Sequence, residues 1–304
     1  MRFMVLRKAD ASTEAGVTPG PELIDAMGRY NQELVKAGVM RAGDGLKPSA
    51  AGTRVRYQNK KFTVIDGPFS ETKELIAGFS IIEAKSKQEA IELLKRWPAV
   101  DGGGAVELEL RQIYELSDFP VDASEKPDGW RENEQRWREQ EQKQEPADRP
   151  ARKPGTTRFL VMIRADARSE SGQLPGQEVL SAMGALMDDM LKAEAVLGGE
   201  GLKPSKLGAR ISFRGGKASI VDGPFAETKE LIAGYTLVQL ASRAEAIAFA
   251  KRWLEVHALL DDGQGHGGEI EIRPLFELED FPLTTEQRAV FDGLAADLGR
   301  AKEA

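Results

Sequence analysis

Nine residues, Asp66-Gly-Pro-Phe-Ser-Glu-Thr-Lys-Glu74, recur with one change as Asp222-Gly-Pro-Phe-Ala-Glu-Thr-Lys-Glu230. Glu71, Lys73 and Glu74, with their counterparts Glu227, Lys229 and Glu230, set two acids and a base within a few positions. Sheltered at a domain interface, such groups position a polar ligand or move a proton. The same stretch also reads as a structural turn. Asp66 and Asp222 suit an Asx-turn that caps backbone amides, Pro68 and Pro224 stiffen it, and Phe69 and Phe225 anchor it. Solvated ion pairs contribute only about 0 to 1 kcal/mol. Retention of the charges in both copies therefore points toward a ligand site, and both readings stand at this level.

Other residues could join that site. Lys47 and Lys203, in a repeated Gly-Asp/Glu-Gly-Leu-Lys-Pro-Ser stretch, and Arg54 and Arg210 would give an anionic ligand its charge partners; a solvated loop is the alternative. Asp10 and Asp166 close the first strand of each copy, as cleft acids or as turn formers. The two histidines, His257 and His266, are read as part of a glycine-containing insertion near Asp261 and Asp262, with no recognised metal spacing. No metal or cofactor is expected and no catalytic residue is assigned. With no cysteine in the chain, thiolate nucleophiles, disulfides and cysteine metal sites are excluded.

The elements that must carry these residues come in duplicate. Residues 2–97 align with 158–253 without a gap, and roughly 44 of about 96 pairs are identical. Each copy opens with a strand, then a helix with a stripe at Leu23, Met27, Tyr30 and Leu34 or at Val179, Met183, Leu186 and Met190. Two short strands follow around Asn59-Lys60 or Gly215-Gly216, residues suited to the positive φ of a tight hairpin. An apolar strand with Gly78 as a bulge or close approach comes next. Then come a helix begun by Ser86-x-x-Glu89 or Ser242-x-x-Glu245 and a last alternating strand. This order predicts an α+β class: two ferredoxin-like domains with an extra or divided central strand, their open sheet faces packed as an intramolecular pseudo-dimer of the dimeric α+β barrel type. Pairing within the chain and swapping between chains both remain open.

The predicted domains are 1–120, copy one; 121–157, a charged helical linker; 158–283, copy two; and 284–304, a C-terminal helix. Within the linker, Trp130 and Trp137 stand seven apart on one face of a helix expected over about 128–143. The net charge of −7 and the lack of a basic block argue against direct nucleic-acid binding. The N-terminal apolar run is too short for a signal-peptide core or a membrane span. A cytoplasmic protein is expected, with a small molecule or a protein as its unknown partner and further association of chains compatible with the pattern.

The Asp-Gly-Pro-Phe loop, the Gly-Leu-Lys-Pro-Ser stretch and the Ala-Gly-Phe/Tyr strand resemble the YCII-related family, in its subgroup named after that loop. The resemblance covers both copies nearly end to end and implies a ferredoxin-like barrel of paired domains. It also implies that some relatives are suspected enzymes and that some are associated with sigma factors of transcription initiation. In another branch a His on the first helix and an Asp near the second are the suspected catalytic pair. Met27 and Met183 stand at the nearest positions here, so that chemistry does not carry over. Two functions follow as expectations: a small-molecule-binding or interaction module, with a link to transcription regulation implied by the resemblance, or a cofactor-independent enzyme using carboxylate acid/base chemistry in the barrel cleft.

Overall fold

The computed structural model describes residues 1–70, 74–119, 153–225, 231–259 and 267–300, with side chains as far as residue 294. Copy one contains β1 (Arg2–Lys8), α1 (Pro21–Lys36), β2 (Met40–Gly45), β3 (Thr53–Gln58), β4 (Lys61–Asp66), β5 (Ile76–Glu83), α2 (Lys87–Leu94) and β6 (Glu107–Gln112). Copy two repeats the order with β7 (Thr157–Arg164), α3 (Gln177–Lys192), β8 (Val196–Gly201), β9 (Ala209–Arg214), β10 (Lys217–Asp222), β11 (Ile232–Leu240), α4 (Arg243–Ala258) and β12 (Gly268–Pro274). A last helix, α5 (Thr285–Arg300), closes the described chain. The expected linker helix over 128–143 lies outside the described residues. Among those described, no helix is long and apolar enough to cross a membrane.

Strands β6-β1-β5-β2 make the antiparallel four-stranded sheet of a ferredoxin-like unit, and β12-β7-β11-β8 make its twin. The sequence reading places 43–49 in a loop, whereas Met40–Gly45 and Val196–Gly201 are edge strands. Glycines at 43, 45, 198, 199 and 201 erase the apolar alternation that would announce a strand. Gly78 is a close approach, since a Cβ there would stand 3.1 Å from the Asp44 carbonyl oxygen. The hairpin turns carry the expected positive φ, at Asn59 and Lys60 and at Gly215 and Gly216.

The extra strands do not join their own sheets. Hairpin β3–β4 of copy one extends the copy-two sheet through β3 and β12, and β9–β10 of copy two extends the copy-one sheet through β9 and β6. Each hairpin buries apolar residues in the other copy's core: Val55 beside Phe159 and Trp253, Ala209 and Ile211 beside Phe3 and Leu108. Between the sheets lies a third core layer, with Met4, Leu6 and Phe79 against Leu160, Met162 and Ile232. The copies thus pack face to face within one chain, and they also exchange hairpins.

Register is fixed by charge as well as by the apolar pattern. Arg54 stands opposite Glu271 and Arg210 opposite Glu109. Glu271 also accepts from Arg164 Nη2 at 2.6 Å and Arg273 Nη1 at 3.1 Å, in addition to Arg54 Nε at 2.9 Å. Glu109 takes Lys8 Nζ at 3.1 Å, Arg111 Nη1 at 3.2 Å and Arg210 Nε at 3.3 Å. Burial alone would raise the Glu109 carboxyl, but Lys8, Arg111 and Arg210 together bring it to about 2. Arg54→Ala is expected to cost about 2 kcal/mol by urea unfolding, less than the 3 to 5 of a fully orphaned buried charge, because Arg164 and Arg273 still serve Glu271. A loss below about 0.5 kcal/mol, the usual size for a surface change, would contradict the hairpin anchor.

Candidate functional site

The two repeated motifs are knitted to each other. Ser49, at the end of Gly-Leu-Lys-Pro-Ser, accepts the Phe69 amide on Oγ at 3.2 Å, and Ser205 accepts the Phe225 amide likewise. Glu14 accepts the Ser49 amide at 3.1 Å and hydroxyl, and Glu170 does the same for Ser205. Gly67 must be glycine, because a Cβ would stand 1.9 Å from the Ser49 carbonyl oxygen; Gly223 meets Ser205 in the same way. Phe69 lies 4.1 Å under the Arg54 guanidinium and Phe225 lies 4.5 Å under that of Arg210. The aromatic anchor of each loop therefore supports an arginine that crosses to the other copy.

The described candidates are all engaged by the chain. Asp66, expected to cap an Asx-turn, instead ends β4 with its carboxylate on Arg243 of copy two and on the Thr53 hydroxyl. Asp222 pairs with Lys87 of copy one at 2.7 Å. Lys47 reaches Asp280 at 2.8 Å and Lys203 reaches Asp118 at 2.7 Å, again between copies. Glu74 joins Lys8 at 3.5 Å and Arg210 at 3.4 Å, so the structure brings Glu74, Arg210 and Glu109 into one buried cluster. Arg54 belongs to the matching cluster on Glu271. Glu71, Lys73, Glu227, Lys229 and Glu230 lie outside the described residues. In each cluster cations and carboxylates alternate, an arrangement that braces the copies.

A different site opens in copy two. A cavity of about 800 Å³ runs between α3 and the β7–β11–β8 sheet. Its wall along α3 sets Leu180, Met183, Gly184 and Met187 between the polar Glu178 and Asp188, and its floor holds Ile163, Asp166, Trp253 and His257. Copy one fills the corresponding space. There Arg7 stands where copy two has Ile163, and its guanidinium pairs with Asp10 and Asp101 at 2.7 Å each. Asp101 also accepts the Trp97 indole N–H at 2.8 Å. Four residues beyond each repeated tryptophan, copy one has Asp101 and copy two has His257.

The sequence reading puts His257 in a glycine-containing insertion, and the structure places it on a helix. Helix α4 has 16 residues against 8 in α2, and His257 sits in its last turn with its ring 5.7 Å from Trp253, edge to face. His266 lies outside the described residues. Asp10 and Asp166 prove to be N-caps of one-turn helices, closed by Thr13 and Ser169. Burial works against the Asp166 charge, yet the Ser169 amide and hydroxyl and the Arg168 guanidinium hold its carboxyl below the usual range. Burial also pushes the His257 imidazole down to about 4, with Asp166 opposing and Arg168 adding to the shift. The floor thus sets a neutral imidazole near a carboxylate under an apolar wall. Sequence reasoning missed this cavity, although Ile163 in place of Arg7 inside the strong repeat was a signal for it.

Duplicated ferredoxin-like units joined face to face, with a cleft open in copy two, define a pseudo-symmetric α+β barrel protein. The chain belongs to the YCII-related domain family, whose model matches it twice, over residues 1–116 and 157–274. It is similar to an uncharacterised protein of Rhizobium meliloti (strain 1021), 36% identical over 74 residues that make up 24% of this chain and 54% of that protein. The chain therefore spans about half the length of that curated relative. A mutant chlorite dismutase from Candidatus Nitrospira defluvii in complex with cyanide overlies 99% of this chain and 94% of its own, with TM-score 0.31 and 9% identity, too loose a likeness to bear on function.

Because the folded His257 value lies below the ordinary 6.5, its contribution to stability is full above pH 6.5 and is lost as pH falls toward 4. The ring is half-buried and borders the cavity, so the loss is expected to be on the order of 1 to 2 kcal/mol. His257→Asn should flatten unfolding free energy against pH across that window. An unchanged slope would show that the ring titrates as in water.

Proposed function

We propose that the protein is a small-molecule-binding module and that the copy-two cleft is its site. The observation that carries this reading is the cavity of about 800 Å³ at a place that copy one closes with the Arg7–Asp101 pair. Its volume falls within the range of roughly 300 to 1,000 Å³ usual for ligand sites, and its apolar walls around a few convergent polar groups match their usual make-up. The chemistry fits a compact molecule with an apolar body along Met183, Met187 and Tyr235 and a polar head at His257. A ligand-responsive role beside transcription, which the family resemblance implies, is the finer form of this reading. A catalytic form draws less support, since His257, pushed down to about 4 by burial, is unprotonated at neutral pH but too weak a base there to take a proton efficiently.

The test uses copy one as the template for a closed site. Ile163→Arg with His257→Asp rebuilds the Arg7–Asp101 pair in copy two. In a thermal-shift screen of small aromatic and aliphatic phenols and carboxylates, a hit at a hundred times its Kd is expected to stabilise the natural chain by about 2.7 kcal/mol. The double variant should keep its unliganded melting temperature within a few degrees and lose that stabilisation. Hits that stabilise both proteins equally would place binding elsewhere.

A further inference from the structure

We propose that Tyr114, which copy one contributes to the copy-two cleft, is the specificity-determining residue of that site, and that it selects an apolar molecule with an uncharged hydrogen-bonding oxygen at each end, about 10 Å apart. The inference rests on the reading of the cleft as a ligand site and adds a second polar end to it.

Its starting point is a break in the repeat. Tyr114 and Phe276 are counterparts, three residues after Arg111 and Arg273. Both rings are seated alike. The Tyr114 amide donates to the Gly201 carbonyl at 2.9 Å, and the Phe276 amide donates to that of Gly45 at 2.9 Å. A Cβ on Gly201 would stand 3.3 Å from Tyr114 Cδ2, and one on Gly45 would stand 3.3 Å from Phe276 Cδ2. Each ring also packs on the phenylalanine of the turn that follows, Phe119 at 5.6 Å or Phe281 at 5.1 Å between centroids. Packing therefore asks only for an aromatic ring, and phenylalanine supplies it. The hydroxyl is the addition, and it occurs at the seat that borders the cleft.

The sheet sets the Tyr114 ring at one end of that cleft. Gly201 on β8 lies opposite Gly234 on β11, which lies opposite Ile163 on β7. Directly opposed residues share a face, and Ile163 packs in the core beneath α3 and α4. Tyr114 thus covers Gly201 on the helix side of the edge strand. His257 belongs to the other end, because α4 lies across β12, β3 and β7. Two strand spacings, about 10 Å, separate the Gly201 and Ile163 positions. Between them Gly234 leaves the floor bare beneath Leu180, Met183 and Met187. Two differences from copy one make this middle apolar, Ile163 in place of Arg7 and Met187 in place of Asn31.

Both ends suit an uncharged oxygen. Burial and the charges of Asp118 and Glu170 push the Tyr114 phenol up, with Arg111 opposing, so the hydroxyl keeps its proton and donates. None of the hydrogen bonds among the described residues uses it. An anionic head there would face Asp118 and Glu170, whose own cations are Lys203 and Arg111. At the far end the neutral His257 lies near the ionised Asp166, which also repels an anion. A molecule without the second oxygen leaves the phenol unpaired, a loss of about tenfold in affinity.

Isothermal titration of two matched pairs tests the inference. One pair is rigid, a biphenyl hydroxylated at both para ends against a biphenyl hydroxylated at one. The other is flexible, the straight eight-carbon α,ω-diol against the eight-carbon alcohol. In the natural chain the two-ended member of at least one pair is expected to bind about tenfold more tightly than its one-ended partner. In Tyr114→Phe, a change that the Phe276 seat shows the fold to accept, that preference should fall below about threefold. Equal binding of both members to the natural chain, or an undiminished preference in Tyr114→Phe, would overturn the inference while leaving the cleft a ligand site. So would failure of both pairs at a cleft that takes another compound of the thermal-shift screen. The cleft reading fails separately, when no compound loses binding in Ile163→Arg/His257→Asp, and the inference then falls with it.

Discussion

Glu109 and Glu271 are the charges on which the arrangement of the molecule depends. Each is nearly inaccessible, and each is served by a cation from its own first strand, one from its own last strand and one from the other copy's hairpin. An ionised carboxylate at such depth persists only when its neighbours replace the lost water. Lys8, Arg111 and Arg210 do so for Glu109, and Arg164, Arg273 and Arg54 for Glu271. The third cation of each set arrives only when a hairpin lies along the last strand in the correct register, and here that hairpin is the other copy's. The buried charges and the topology are therefore one constraint.

That constraint also accounts for the described part of the repeated loop. Phe69 and Phe225 each lie under the arginine that crosses to the other copy, and Ser49 and Ser205 hold the loop backbone beneath them. Glu14 and Glu170 close the circuit, taking the serine on one side and a buried arginine of the other copy, Arg273 or Arg111, on the other. A change at one motif is felt at the second, and the pairs must be kept in both copies because each copy's loop steadies the other's sheet.

On this symmetric frame the copies have diverged where symmetry is not required. Copy one spends its cleft on stability, with Arg7, Asp10, Asp101 and Trp97 locked together under α1 and with α5 across its outer face. Copy two has Ile163 in place of the arginine, a longer α4 with His257 in its last turn, and a cavity. Duplication within one chain permits this division, since one half can carry the fold while the other is free to bind.

How much of this was legible follows from the range of each interaction. The repeat, the alternating strands, the hairpin turns at Asn59-Lys60 and Gly215-Gly216, the serine caps of α2 and α4 and the cap of α5 at Thr284 rest on neighbours a few residues apart, and local sequence determined them. The open sheet face of each copy likewise dictated that the copies pack together. Strands β2 and β8 were hidden because glycine carries no alternation, and the short side-chain list of a turn motif gave no sign that its arginine belongs to another sheet. Partner choice for the hairpins, the pairing of Asp66 with Arg243 and of Asp222 with Lys87, and the copy-two cleft all join residues far apart in the chain. Two nearly identical copies offer each hairpin two nearly identical edges, so the sequence specifies the edge but not the copy. The tertiary structure shows the exchanged pairing, with Arg54 opposite Glu271 and Arg210 opposite Glu109; because the same arginine and glutamate stand in both copies, charge fixes the register along the edge and not the copy.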